Sequence, residues 1–294
     1  MSFSIAVAGK GGSGKTSLTS LIIRYLKNNG LGPILAVDAD ANANLADSLG
    51  LEVKQTVGSI IASFNDEKIN IPPGMTKEAY LDYKLNEAIV ESQGLDLLTM
   101  GRGEGPDCYC YPNVVIRKMI DNLSQNYAYV VMDNEAGMEH LSRRTTQNID
   151  ALLIISDYSV KGVRTIARIR DLISELKLVV ARQLMIINFA PAKLAPLISQ
   201  ELARLGIEPV VLIPEDEQIY KCDLELKPLL DLPDTSKAVG AIGDLMAGIL
   251  NKDRLATYPP TPLPLIREGG SAGKRGVKPL SKISSPSPSQ GEGD

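Results

Sequence analysis

Gly9-Lys10-Gly11-Gly12-Ser13-Gly14-Lys15-Thr16 directly follows the apolar run Phe3 to Ala8 and opens a helical pattern. A strand, a glycine-rich turn and a helix in that order form a phosphate-binding loop. Glycines let the backbone wrap closely around phosphate oxygens, Lys15 is spaced to reach the β and γ phosphates, and the Thr16 hydroxyl can ligate Mg²⁺. The helix that follows turns its positive end toward the anion. The expected ligand is a nucleoside triphosphate, held by Gly9, Gly11, Gly12, Ser13, Gly14, Lys15, Thr16 and Ser17.

Outward from this loop, short apolar runs alternate with longer helical patterns. The runs are Phe3 to Ala8, Ile34 to Val37, Leu95 to Thr99, Ala128 to Met132, Ala151 to Ile155, Leu184 to Ile187 and Pro209 to Ile213. Their hydrophobicity is continuous rather than alternating, which suits strands buried on both faces. The expected fold is α/β, a mainly parallel sheet flanked by helices, with the nucleotide at the carboxyl ends of the strands. The expected helices are Lys15 to Asn29, closed by Gly30; Thr76 to Ser92; Asn113 to Ser124, opened by Pro112; Lys161 to Leu176; Ala192 to Leu205, closed by Gly206; and Ser236 to Asn251.

The chain has 294 residues, 44% of them hydrophobic, enough for a large core, and a formal net charge of -4. That charge supplies no general attraction to nucleic acid or anionic membrane. No run reaches the roughly 18 to 20 apolar residues of a membrane span. Three cysteines make no disulfide framework, and the N-terminus begins a core strand rather than a charged leader, so a reduced, cytoplasmic protein is expected. From about Thr257 to Asp294 the composition turns to Pro, Ser and Gly, so residues 1–256 read as the folded domain and 257–294 as a disordered tail.

Two further stretches carry candidate chemistry. Val37-Asp38-Ala39-Asp40 ends one strand with two carboxylates, of which Asp40 is assigned to positioning the attacking water and Asp38 to the Mg²⁺ sphere. Helix capping is the alternative for Asp40. Asp133-Asn134-Glu135-Ala136-Gly137 ends another strand, with Asp133 as the carboxylate near the metal and Gly137 as a sensor of the γ-phosphate. His140, the only histidine, stands outside these roles.

Lys10 adds a second cation that an ordinary phosphate loop lacks. With it, the loop has the deviant Walker A pattern and the chain resembles the MinD, ParA and nitrogenase-iron-protein superfamily of dimeric ATPases. The resemblance implies that Lys10 reaches across the dimer to the partner's ATP, which makes Lys10, Lys15 and Asp40 the catalytic set. It also implies that Asn188 and the Pro214 to Asp216 loop hold adenine, although turn roles fit both as well from spacing alone.

Cys108 and Cys110 lie in the glycine-rich stretch after Leu95 to Thr99. Residues two apart in an extended loop direct their side chains the same way. Two thiolates make half of a four-ligand site for Ni²⁺ or Zn²⁺, and a two-fold dimer supplies the other half. With this pair the chain resembles the CooC-type maturation ATPases and their AcsF relatives over roughly residues 1 to 250. That implies a homodimer using ATP, Mg²⁺ and Ni²⁺ or Zn²⁺ to serve carbon monoxide dehydrogenase or acetyl-CoA synthase. Two other readings within the superfamily are a positioning ATPase on membrane or DNA and an electron-transfer protein with a shared [4Fe-4S] cluster. The low basic content of the Ser236 to Asn251 helix speaks against the first, and the lack of cysteine in Asp133 to Arg144 against the second. Cys222 lies outside the pair and reads as incidental.

Overall fold

Each apolar run named above falls on a strand of one eight-stranded sheet, although Ala128 precedes its strand and Pro209 lies outside the described residues. The computed structural model describes residues 2–65, 71–101, 120–134, 148–176, 178–207 and 210–250. The helix from Asn113 is therefore seen only from Ile120 to Ser124, and the stretch after Thr257 lies outside the described residues.

In chain order the strands are β1 (Phe3–Gly9), β2 (Ile34–Asp38), β3 (Ile89–Ser92), β4 (Leu95–Thr99), β5 (Tyr129–Asp133), the two-residue β6 (Asn148–Ile149), β7 (Ala151–Ser156), the two-residue β8 (Val179–Val180), β9 (Gln183–Ala190) and β10 (Val210–Pro214). The main sheet runs β10-β9-β7-β1-β5-β2-β4-β3, and β6 pairs with β8 apart from it. All neighbours in the main sheet are parallel except β3 against β4. The helices are α1 (Lys15–Asn28), α2 (Leu45–Leu49), α3 (Val57–Asn65), α4 (Lys77–Glu87), α5 (Val160–Glu175), α6 (Pro196–Leu205), α7 (Glu217–Glu225) and α8 (Lys237–Leu250).

The two-residue period of a strand divides the core. Ile5, Val7, Ala36, Val131 and Leu153 pack with α1, α2 and α8 on one face. Ala6, Ala8, Val37, Met132 and Ile154 pack with α3, α4, α5 and α6 on the other. Both faces are covered, which is why the runs are apolar throughout rather than at alternate positions.

Two expected helices are corrected. The pattern from Thr76 to Ser92 is not one helix: Thr76 is the N-cap of α4, α4 ends at Glu87, and Ile89–Ser92 forms β3, antiparallel to β4. Ile89 and Val90 favour a strand, and Gly94, with φ 74°, makes the tight return to β4. The helix expected from Ala192 begins only at Pro196, because proline cannot donate within a helix interior and holds Ala195 extended at ψ 145°. The sequence reading also missed α2, α3 and α7, which are short and lack a long hydrophobic period.

Candidate nucleotide site

β1 lies between β5 and β7, so the loop after Gly9 leaves from the middle of the sheet. Gly9 has no space for a side chain: a Cβ there would lie 2.1 Å from the Ile155 carbonyl oxygen on β7. Gly12 and Gly14 have φ of 75° and 87°, backbone that L side chains rarely adopt. The loop closes on the Lys10 carbonyl, which accepts from Ser13 N–H at 3.3 Å and from Ser13 Oγ at 2.7 Å. Lys15, itself buried, folds back so that its Nζ donates to the same carbonyl at 3.4 Å. Thr16 and Ser17 follow in the first turn of α1, both half-buried, while Gly11 and Gly12 are exposed.

Strand register assembles the acidic part of the site. Asp133 is opposite Val7 on one side and Asp38 on the other. Thr16 Oγ1 donates to Asp133 Oδ2 at 2.6 Å, while the buried Asp133 Oδ1 has no hydrogen-bond partner among the described residues. Burial pushes the Asp133 carboxyl up to about 7, against the Thr16 donation and helped by the Asp38 charge. Burial likewise raises Asp38 to about 6, opposed by the N–H groups of Leu45 and Asp40. Asp38 Oδ1 accepts from Asp40 N–H at 3.1 Å and Oδ2 from Leu45 N–H at 2.9 Å, so this carboxylate also ties the segment before α2 to β2. Asp40 is half-buried and accepts from Asn42 N–H at 2.9 Å, but it does not cap α2, whose N-cap is Asn44.

A donor set of one hydroxyl and buried carboxylates suits Mg²⁺, a hard cation that takes one or two carboxylates and completes its sphere with phosphate and water. The partnerless oxygen of Asp133 leaves an acceptor for such an ion or for a water on it. Thr16 and Asp133, with Asp38 behind them, fit the ion the loop implies.

Lys10 Nζ pairs with Asp157 Oδ2 at 3.0 Å, just past the end of β7. Asp157 also accepts from the Ser159 hydroxyl, and this bond foremost, then the Lys10 ammonium, holds its carboxyl below the ordinary value against burial. Neither Asp157 nor Ser159 was among the residues expected from sequence, since no motif marks them. On the other flank, Asn188 is buried and its Nδ2 donates to the Ser13 carbonyl at 3.0 Å, bringing β9 to the phosphate loop. Pro214 ends β10, half-buried. The Asp216 carboxylate accepts from Gln218 N–H, Ser236 Oγ and Ala238 N–H, with the Lys237 N–H adding to them, and thus caps α7 and steadies the start of α8. Cys222 is a half-buried free thiol on α7 whose pKa is raised first by burial.

Gly137, His140, Cys108 and Cys110 lie outside the described residues. Among those described, no three His, Cys, Asp or Glu side chains gather as a metal site. No described helix is long and apolar enough to cross a membrane.

The CobQ/CobB/MinD/ParA nucleotide binding domain matches residues 4–229. An uncharacterized ATP-binding protein of Methanocaldococcus jannaschii is 42% identical over 250 residues, covering 84% of this chain and 98% of the relative. The carbon monoxide dehydrogenase accessory protein CooC of Rhodospirillum rubrum is 29% identical over 183 residues, 58% of this chain and 69% of the relative. Among solved structures, the MinD cell division protein of Aquifex aeolicus superposes with a TM-score of 0.58 at 22% identity, covering 84% of this chain and 97% of that one. A ParA family ATPase of Chlorobium tepidum superposes with 0.61 at 20% identity, covering 83% and 98%. At these identities the two structures bear on the fold alone.

Proposed function

Because the chain belongs to the CobQ/CobB/MinD/ParA nucleotide-binding family, we propose that it hydrolyses ATP and uses the cycle to deliver nickel to carbon monoxide dehydrogenase or acetyl-CoA synthase. The observation that carries the ATPase part is the Thr16 to Asp133 contact of 2.6 Å at the foot of a phosphate loop, beside a carboxylate oxygen with no partner among the described residues. Mg²⁺ bound there would neutralise charge on the triphosphate oxygens. Lys15 binds the β and γ phosphates, and Asp40 orients the water that attacks the γ-phosphorus as the bond to the bridging oxygen breaks. Gly137 senses the γ-phosphate through its N–H.

The nickel part rests on two observations: the Cys108-x-Cys110 pair and the likeness to an accessory protein of carbon monoxide dehydrogenase. Each chain contributes two sulfurs, so the cargo ion, Ni²⁺ or Zn²⁺, sits between two chains of a cytoplasmic homodimer. ATP at the loops favours the closed dimer, with Lys10 leaving Asp157 for the partner's nucleotide. Loss of the γ-phosphate reverses that preference and loosens the sulfur site, and the coupling equals the difference in affinity between the two states.

Metal analysis of purified protein tests the reading. One nickel per dimer, lost in Cys108→Ser, is expected; one tightly held metal per monomer that survives the substitution overturns the shared site. Lys15→Ala should stop ATP turnover and leave nickel binding intact.

A further inference from the structure

Phe189 is a bulky residue in backbone that such residues avoid. Its φ is 54°, in the left-handed region, where a non-glycine residue is strained. The cause lies in the pairing of β9 with β10. Leu212 pairs with Ile187 and Pro214 with Ala190, so Asn188 and Phe189 together face the single residue Ile213. Two residues opposite one is a β-bulge, a device that re-aims side chains. Asn188 is thereby buried against the phosphate loop, whereas Phe189 remains 44% exposed at the carboxyl end of the strand.

The exposed ring also lies against the site. A Cβ on Gly14 would be 3.6 Å from Phe189 Cζ, so the tip of the ring is near the last glycine of the phosphate loop. The register sets Pro214 opposite Ala190, one residue beyond Phe189, so both residues stand at the carboxyl end of the sheet. A strained, solvent-facing aromatic at the loop that holds phosphates has a flat apolar face to offer to the other end of a nucleotide.

We propose that Phe189 is the platform on which the purine base of the bound nucleotide stacks. This rests on the nucleotide reading above and adds the residue that grips the base. Stacking on an aromatic ring is tolerant of base identity, because every base has a π face. Phe189 therefore supplies affinity for a purine, not a choice between adenine and guanine.

Calorimetric titration of the full chain with MgATP and, separately, with inorganic tripolyphosphate tests the assignment. Phe189→Ala should weaken MgATP by about 5- to 150-fold and leave tripolyphosphate unchanged. The chain contains no tryptophan, so Phe189→Trp carries the only indole. It should bind MgATP nearly as the unsubstituted chain does, with its emission quenched by MgATP and not by tripolyphosphate. Unchanged MgATP affinity in Phe189→Ala, equal losses for both ligands, or an indole blind to MgATP overturns the stacking role while the nucleotide site stands. An unsubstituted chain that binds neither ligand overturns the nucleotide reading and the platform with it.

Discussion

Lys10 Nζ and Asp157 Oδ2 are 3.0 Å apart, an ion pair that ties the phosphate loop to the carboxyl end of β7 within one chain. Both side chains are partly solvated, so the pair contributes only about 0.2–1 kcal/mol. A contact of that size holds Lys10 without trapping it, and a lysine tied to its own chain is withheld from a neighbour.

Releasing the lysine should therefore favour association. Each dimer frees two lysines, so Asp157→Asn is expected to strengthen ATP-dependent dimerisation by about 2- to 30-fold in sedimentation experiments, and Lys10→Ala to weaken it. Equal dimerisation in all three proteins would confine Lys10 to its own chain.

The hydroxyl and carboxylate at the foot of the loop act on the same ion, so their losses should not add. Thr16→Ala and Asp133→Asn are each expected to lower Mg²⁺-dependent ATP turnover by about 10²-fold or more, with the double variant little worse than either. Steady-state phosphate release is the measurement, and additive losses would separate the two roles.

Acidity should act in opposite directions on the free and loaded protein. The folded-state values of about 7 for Asp133 and about 6 for Asp38 lie above the ordinary carboxylate value. From about pH 4 to pH 7 the folded chain then binds more protons than the unfolded chain, so its stability falls as pH rises. A divalent cation needs the ionised pair, so the protection given by MgATP should grow over the same interval. Melting temperatures at pH 5 and pH 7.5, with and without MgATP, check both signs, and Asp133→Asn should flatten both trends.

Gly9→Ala should destabilise the fold as well as the site. The added methyl meets a backbone carbonyl 2.1 Å away, which cannot rotate aside as a side chain end can. A loss of about 1–3 kcal/mol is expected, read from the denaturant midpoint. A variant as stable as the parent would mean that β1 and β7 separate easily.

The phosphate loop was legible because its chemistry is carried by contiguous residues. The ends of β2 and β5 were legible too, since an apolar run that stops at an aspartate marks both the strand and its last residue. That Asp38 and Asp133 are register neighbours was not legible, because β2 and β5 lie far apart in sequence and only sheet order makes them adjacent. Helix and strand were confused at Ile89 and Val90, where a short apolar run fits either period. Asp157 gave no signal: it stands 147 residues from Lys10, and its neighbours Ser156 and Tyr158 read as an ordinary strand end.

The sequence alone determined the strand, loop and helix from Phe3 to Asn28, the alternation of apolar runs that makes the sheet parallel, and the aspartates at the ends of two strands. These follow from periodicity and spacing over a few residues, where backbone geometry leaves few choices. Tertiary structure decided which strands are neighbours, that Lys10 meets Asp157, and that a bulge against β10 exposes Phe189 beside Gly14. Those contacts depend on the order and register of strands, which distant segments settle jointly when they bury both faces of one sheet.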